Sequence, residues 1–282
     1  MRRPWKEKCQ IISSIISSFW IKNTQWIVYP IRTSYGIWIW TRSDVTGRNL
    51  RRDRELERPE TLFMERFLKP GMNILDIGAN IGYFSTLISK LVGDKGSVTA
   101  FEPSPREQRW LKRNLALNHC KNVCIEKMGL SDYVGEIDLF VVQGLETGCN
   151  SMRKPNVNER VMPVKVKITK LDNYLLTKNL SIDFVKMDIE GAELSALKGA
   201  KSLLISVPRP VWLCELVELR AEPWGYQTVE IYDLLARSGY HWFSILSNGS
   251  LEHCARKEHF HENLVAVPEE SLPLIQSLLE FK

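Results

Sequence analysis

Apolar positions along the chain change period several times. Residues 9–20 place Ile11, Ile12, Ile15, Ile16, Phe19 and Trp20 on one helical face, with Ser13, Ser14, Ser17 and Ser18 opposite, which predicts an amphipathic helix. The stretch "YGIWIWTRSD" (35–44) reads as a strand. Residues 55–68 read as a helix that stops before the turn signal Lys69-Pro70-Gly71. From there short apolar runs alternate with helical patterns. Strands are expected at Met72–Ile77, Ser97–Glu102, Val123–Met128, Ile182–Asp188 and Pro210–Glu215. Helices are expected at Ile81–Leu91, Pro105–Asn118, Ala192–Leu204 and Val229–Ser238. Strand–helix alternation of this kind predicts an α/β fold with a doubly wound, mostly parallel sheet. Two further strands, in "GEIDLFVVQG" and "VMPVKVKITKL", flank a polar segment at 143–160 that is long for a plain connection. His241–Leu246 and Leu264–Val267 are expected to close the sheet as an antiparallel pair. The expected division is an N-terminal helix and strand extension over 1–54, then one domain over 55–282.

Charge sharpens this division. The chain has 282 residues and a formal net charge of +5. Residues 1–60 hold 12 Lys and Arg against 6 Asp and Glu, so the remainder is close to neutral. A basic stripe beside the cleft, expected of a nucleic-acid enzyme, is not visible in the sequence, and no nucleic-acid partner is expected. The basic head before residues 9–20 suits a peripheral membrane contact. A helix packed on its own domain or on a second copy of the chain is the favoured reading, since amphipathic helices mostly serve cores. No run approaches a membrane-spanning length. Ser pairs interrupt the apolar part of the start and no A-x-A site follows, so a signal peptide is not expected. The six cysteines lack C-x-x-C or zinc-like spacing and read as free thiols of a cytoplasmic protein.

The chemistry concentrates at strand ends. "ILDIGANIGYFS" (74–85) is a buried strand, a turn and a helix start. Gly78 and Gly82 permit close backbone approach, and the turn delivers Ala79 and Asn80 beside them. A dinucleotide fingerprint requires G-x-G-x-x-G. Here the middle Gly is absent, and Asp76 stands where it would repel a diphosphate but suit a cationic ligand. The next strand ends at Glu102, followed by Pro103 and Ser104, and a carboxylate there can accept both hydroxyls of a ribose. The combination favours S-adenosylmethionine (SAM) over NAD. The alternatives are an NAD-dependent dehydrogenase or epimerase on a similar sheet, and a catalytically silent SAM-binding module. In "KMDIEGAE", Asp188 ends another parallel strand and faces the same crevice, with Glu190 two residues on. These two are the candidate catalytic residues, as general base or as ligands of a divalent metal. Capping of the next helix is the competing role for Asp188, and the favoured one for Glu193. Lys186 reads as a packing or pairing residue. Glu215 is a weaker candidate on the acceptor side. Asn150 and Ser151, in "TGCNSMRKP", are candidate polar contacts of a lid, and no single one of His241, His253, His259 and His261 stands out as a base.

"GMNILDIGANIGYFSTLISK", "VTAFEPSP", "NLALN", "GLSD", "TKLDNYL" and "IDFVKMDIEGAELSALKGA" together resemble the FkbM family of SAM-dependent methyltransferases over about residues 55–267. The resemblance implies a class I methyltransferase fold, Rossmann-like, with a seven-stranded sheet and an antiparallel C-terminal strand. It implies methyl transfer to oxygen, with hydroxyls of sugars in glycans, glycolipids or related natural products as acceptors. Asn80 in place of a middle Gly is typical of the FkbM group. By the same resemblance Leu130 and Asp132 of "GLSD" lie against the adenine ring. Ile-Glu-Gly after Asp188, in place of an Asp/Asn-Pro-Pro-aromatic motif, tilts away from nitrogen methylation of adenine.

Overall fold

The computed structural model describes residues 28–178 and 180–280. The amphipathic helix expected at 9–20 lies outside these residues. In chain order the elements begin with a hairpin of β1 (Val28–Arg32) and β2 (Trp38–Arg42), then α1 (Val45–Asp53) and α2 (Arg58–Phe67). The alternating part follows: β3 (Asn73–Ile77), α3 (Tyr83–Val92), β4 (Ser97–Phe101), α4 (Pro105–Leu117) and β5 (Val123–Glu126). Next come β6 (Gly129–Leu130), β7 (Gly135–Val142), β8 (Val161–Thr169), α5 (Leu171–Leu176), β9 (Phe184–Met187), α6 (Glu193–Lys198) and α7 (Lys201–Ile205). The chain closes with β10 (Val211–Val217), α8 (Glu218–Ala221), α9 (Thr228–Arg237), β11 (Tyr240–Ile245), β12 (Leu251–His253), β13 (His261–Pro268) and α10 (Leu272–Ile275).

The main sheet has eight strands in the order β12-β11-β13-β10-β9-β3-β4-β5. The five strands from β5 to β10 run parallel, and β13 is antiparallel to both β10 and β11. This is the expected seven-stranded class I arrangement with β12 added at one edge. Burial on both faces explains why the central strands are continuous apolar runs. Leu75, Ile77, Val185, Met187, Trp212 and Cys214 belong to one core. Ile74, Phe184, Val211 and Leu213 belong to the other, with Phe63 and Leu87. The period of two along each strand produces this division. In the same register Asp76 and Lys186 are partners across β3 and β9.

Three differences from the expected elements have physical causes. The helix expected over Ala192–Leu204 divides into α6 and α7 at Gly199. There the Gly199 carbonyl accepts from Asp172 N (3.0 Å), and a Cβ would stand 2.1 Å from the Ser131 carbonyl oxygen. The strand pair flanking residues 143–160 leaves the main sheet and forms a separate one, in the order β6-β8-β7. The strand expected at 35–44 has a partner, β1, and one exposed backbone edge satisfied by amides. Asn114 Oδ1 accepts from Trp40 N (2.7 Å) and its Nδ2 donates to Trp40 O (3.1 Å), while Asn118 does the same for Trp38 at 2.8 and 2.6 Å. The two amides are one helical turn apart on α4, which matches the spacing of alternate strand residues. Ile31, Ile37, Ile39 and Leu50 thereby join the core of Phe63 and Val265. The five described cysteines are unpaired. Among the described residues no helix is long and apolar enough to cross a membrane.

Candidate active site

A cleft of about 1170 Å³, open to solvent, lies at the carboxyl ends of the parallel strands. Its floor is the β3–α3 turn. Gly78 N and Ala79 N both donate to Phe101 O at 3.0 Å, which folds the turn back against β4. Gly78 has φ of +90°, and a Cβ there would fall 1.8 Å from the Asp188 carbonyl oxygen. Only glycine permits both the left-handed backbone and the approach to β9. Asn80 adopts φ of +50°, a region that Asn tolerates, and presents its N–H to Glu102 Oε2 at 2.8 Å. Gly82 does not line the cleft; its positive φ and closeness to Leu111 let α3 begin against α4.

Glu102 lines the cleft from the end of β4. Its other oxygen, Oε1, accepts from Ser104 N at 2.7 Å. Each carboxylate oxygen thus has one backbone donor and can accept again. Burial, reinforced by Glu107, raises its pKa to about 8. A partner donating hydroxyl protons or bringing positive charge is the natural relief. Ser104 is fully buried and serves the loop, donating from Oγ to Glu107 Oε2, whereas Pro103 and Leu130 line the cleft with Phe101, Met128 and Gly129.

Two expected contacts sit elsewhere. Asp76 is wholly buried beneath the floor, with Oδ2 accepting from the Ser85 hydroxyl at 2.5 Å and Oδ1 without a partner. Burial raises its pKa against the opposing pull of Lys186. Asp132 is exposed, takes a hydrogen bond from the Ser195 hydroxyl (2.9 Å), and is not part of the cleft wall.

The far half of the cleft holds Glu57, Asp188, Glu190 and Glu215 around the buried Lys186. Lys186 Nζ is 3.3 Å from Asp188 Oδ2 and 4.5 Å from the centre of the Phe84 ring. Burial alone would lower its pKa, but Asp188, Glu57 and Asp76 outweigh that and raise it, so the ammonium stays charged. Asp188 makes no helix cap. Glu193 does not cap it either; as the first residue of α6 it reaches back and accepts from Ile189 N (2.9 Å) and Gly191 N (3.3 Å), which fixes the turn before the helix. Glu190, at φ of +55°, forms an ion pair with Arg220 Nε at 2.7 Å. Burial and the neighbouring Asp188 push its pKa upward against Arg220. Burial and the same carboxylates raise Glu215. Among the described residues no group of three or more His, Cys, Asp or Glu side chains is assembled as a metal site. Asp188 and Glu190 each face a protein cation instead. None of the four C-terminal histidines borders the cleft.

The remaining wall is made by two segments distant in sequence. Thr46, Leu56 and Glu57 come from α1 and the following turn, and Gly148, Asn150, Ser151 and Met152 from the β7–β8 connection. Asp44 caps α1 by accepting from Gly47 N (2.8 Å) and also accepts from the Thr147 hydroxyl (2.8 Å), while Val45 N donates to Leu145 O (2.9 Å). Asn150 and Ser151 are at the cleft, as a lid requires, but their side chains are engaged with the fold. Asn150 Oδ1 accepts from Val142 N (2.9 Å), and the Ser151 hydroxyl donates to Glu190 O (2.8 Å). Sequence reasoning missed Glu57 and Thr46 in this wall, for which the one available signal was the acid and base density of residues 44–58, and it missed Arg220 beside Glu190 at the edge of the cleft.

Comparison with known proteins agrees with this geometry. The family model described as "Methyltransferase FkbM domain" matches residues 76–242. Methyltransferase sdnD of Sordaria araneosa is 33% identical over 154 residues, covering 45% of this chain and 59% of that protein. The 2-O-methyltransferase NoeI of Sinorhizobium fredii is 29% identical over 149 residues, covering 48% and 60%. The chain therefore matches less than two thirds of the length of these relatives. Among solved structures, a SAM-dependent methyltransferase from Aquifex aeolicus has a TM-score of 0.42 at 18% identity, covering 74% of this chain and 87% of that one. SMU.1697c of Streptococcus mutans, solved in complex with SAH, has a TM-score of 0.42 at 12% identity, covering 75% and 98%. With a match across more than half its length, the chain belongs to the FkbM methyltransferase family, built on the class I fold and dependent on S-adenosylmethionine.

Proposed function

We propose that this protein transfers the methyl group of S-adenosylmethionine to a hydroxyl oxygen, with a sugar of a glycan, glycolipid or related natural product as acceptor. The cofactor belongs at the glycine floor. Gly78, Ala79 and Asn80 would hold its amino-acid end, Glu102 its ribose hydroxyls, and Pro103, Met128 and Leu130 its base. A cradle that any Cβ would fill, and a buried carboxylate with spare acceptor capacity, fit that group. When bound, S-adenosylmethionine supplies an electrophilic methyl group on a positively charged sulfur.

The protein must then orient a hydroxyl and take its proton. The observation that supports this most directly is the placement of Asp188. Its carboxylate faces the cleft beside Gly78, free of a capping role and held by Lys186 at 3.3 Å. Asp188 is positioned to accept the hydroxyl proton as the new C–O bond forms, and Lys186 fixes the orientation of the carboxylate. Glu57 and Glu215 offer further acceptors for neighbouring hydroxyls, the chemistry by which carboxylates recognise sugars. The 2-O-methyl transfer for which NoeI of Sinorhizobium fredii is named accords with an oxygen acceptor. Incubation with methyl-labelled cofactor and a panel of free and glycosidic sugars tests this. Label in a base-stable ether on the sugar is expected; label found only on nitrogen or carbon acceptors would overturn it.

A further inference from the structure

A second pocket adjoins the cleft. It is small and open to solvent, and it shares Ser151 and Glu190 with the main cleft. Its charge is opposite. The main cleft sets Glu57, Glu102, Asp188, Glu190 and Glu215 against the single Lys186, whereas here Arg153, Lys154 and Arg220 face Glu190 alone. Arg220 marks the boundary, with Nε 2.7 Å from Glu190 and Nη2 3.3 Å from Cys149 Sγ. Arg153 lies 5.2 Å over the Trp224 ring, so its stem is ordered by stacking while its donors remain unspent. Among the described residues neither the Arg153 nor the Lys154 side chain is in an ion pair. Both side chains are exposed, so their positive charge is available to a solute.

We propose that this pocket binds an anionic substituent, a carboxylate or phosphate, on the sugar acceptor, held by Arg153 and Lys154 with Arg220 at the junction. The assignment rests on the hydroxyl-acceptor reading above and adds the class of acceptor and its direction. An acidic group is disfavoured among the crowded carboxyl groups of the main cleft and attracted by the side pocket. The neutral hydroxyl end therefore enters toward Asp188 and the acidic end stays beyond Glu190. Opposite charge in adjoining compartments fixes one orientation, which a uniformly acidic cleft would not do. Arg153 offers the planar fork that grips carboxylate or phosphate, and Lys154 adds a mobile point charge.

The test uses the full chain saturated with S-adenosylhomocysteine and titrated with glucose, glucuronate and glucose 6-phosphate by ligand-observed NMR or calorimetry. At least one acid should bind about tenfold more tightly than glucose, and which acid does so separates carboxylate from phosphate ester. Arg153→Gln with Lys154→Gln should erase that preference with unchanged S-adenosylhomocysteine affinity and melting temperature. Equal binding of the three sugars, no binding of any, or a preference that survives in the double variant would overturn the proposal. Methyl transfer is scored separately. A chain that keeps the acid preference yet methylates no hydroxyl loses the acceptor reading and keeps the anion pocket. O-methylation without acid preference does the reverse.

Discussion

The two halves of the cleft are built by different means. The cofactor half is backbone: a glycine turn, two N–H groups folded onto Phe101 O, and one carboxylate held by backbone donors. Its turn and its carboxylate lie within residues 78–104, at the ends of two adjacent parallel strands. The acceptor half is side chain, gathered from α1, the β7–β8 connection, the end of β9 and the β10–α8 junction. A backbone site binds one invariant ligand and tolerates little change. A side-chain site can be refitted residue by residue, which suits a domain whose donor is fixed and whose acceptor differs among relatives.

That contrast can be broken by substitution. The largest effect is expected from Gly78→Ala. A methyl group directed 1.8 Å from Asp188 O cannot be accommodated without moving β9, so cofactor binding should be abolished by calorimetry. Asp188→Asn should lower turnover roughly 10²- to 10³-fold at saturating cofactor while cofactor affinity stays within about threefold; near-normal turnover would remove it as the base. Glu102→Gln should weaken cofactor binding about tenfold and leave turnover at saturation nearly unchanged.

Glu102 also predicts a pH dependence. Its folded pKa, about 8, lies above the ordinary value of 4.5, as does that of Glu193 at about 7, in both cases chiefly through burial. Between those limits the folded chain binds more protons than the unfolded one. The stabilisation is complete below about pH 4.5 and is lost as pH rises through 7 to 8, so the melting temperature of the ligand-free protein should fall across that window. Glu102→Gln should make the fall shallower; an identical slope would show that Glu102 is ionised throughout. The smallest effect belongs to Asp44→Ala, which removes an α1 cap and the Thr147 tether. It should cost about 1–2 kcal/mol of stability and raise the acceptor KM with cofactor affinity preserved.

The same division governs what the sequence discloses. Gly78, Glu102 and Asp188 are legible because local rules place them: apolar runs define β3, β4 and β9, and ligands bind beyond the carboxyl ends of such strands. Asp76 shows the limit of that rule. Its position at the strand was correctly read, but the pleat points its side chain down beside Lys186, and not up into the cleft. Asp132 lies outside the cleft for a related reason, since two residues past β6 its side chain turns outward toward Ser195. Glu57, Thr46 and Arg220 were out of reach because their place depends on contacts across many tens of residues. The 29 residues between Glu190 and Arg220 leave no periodic trace of their 2.7 Å meeting.

The joint between Asp44 and Thr147 has one more consequence. It latches the segment before α1 to the loop that roofs the opposite side, with the Val45–Leu145 bond as a second rivet. The two segments are thus fastened together, so a change at Asp44 is felt at Thr147, a hundred positions downstream.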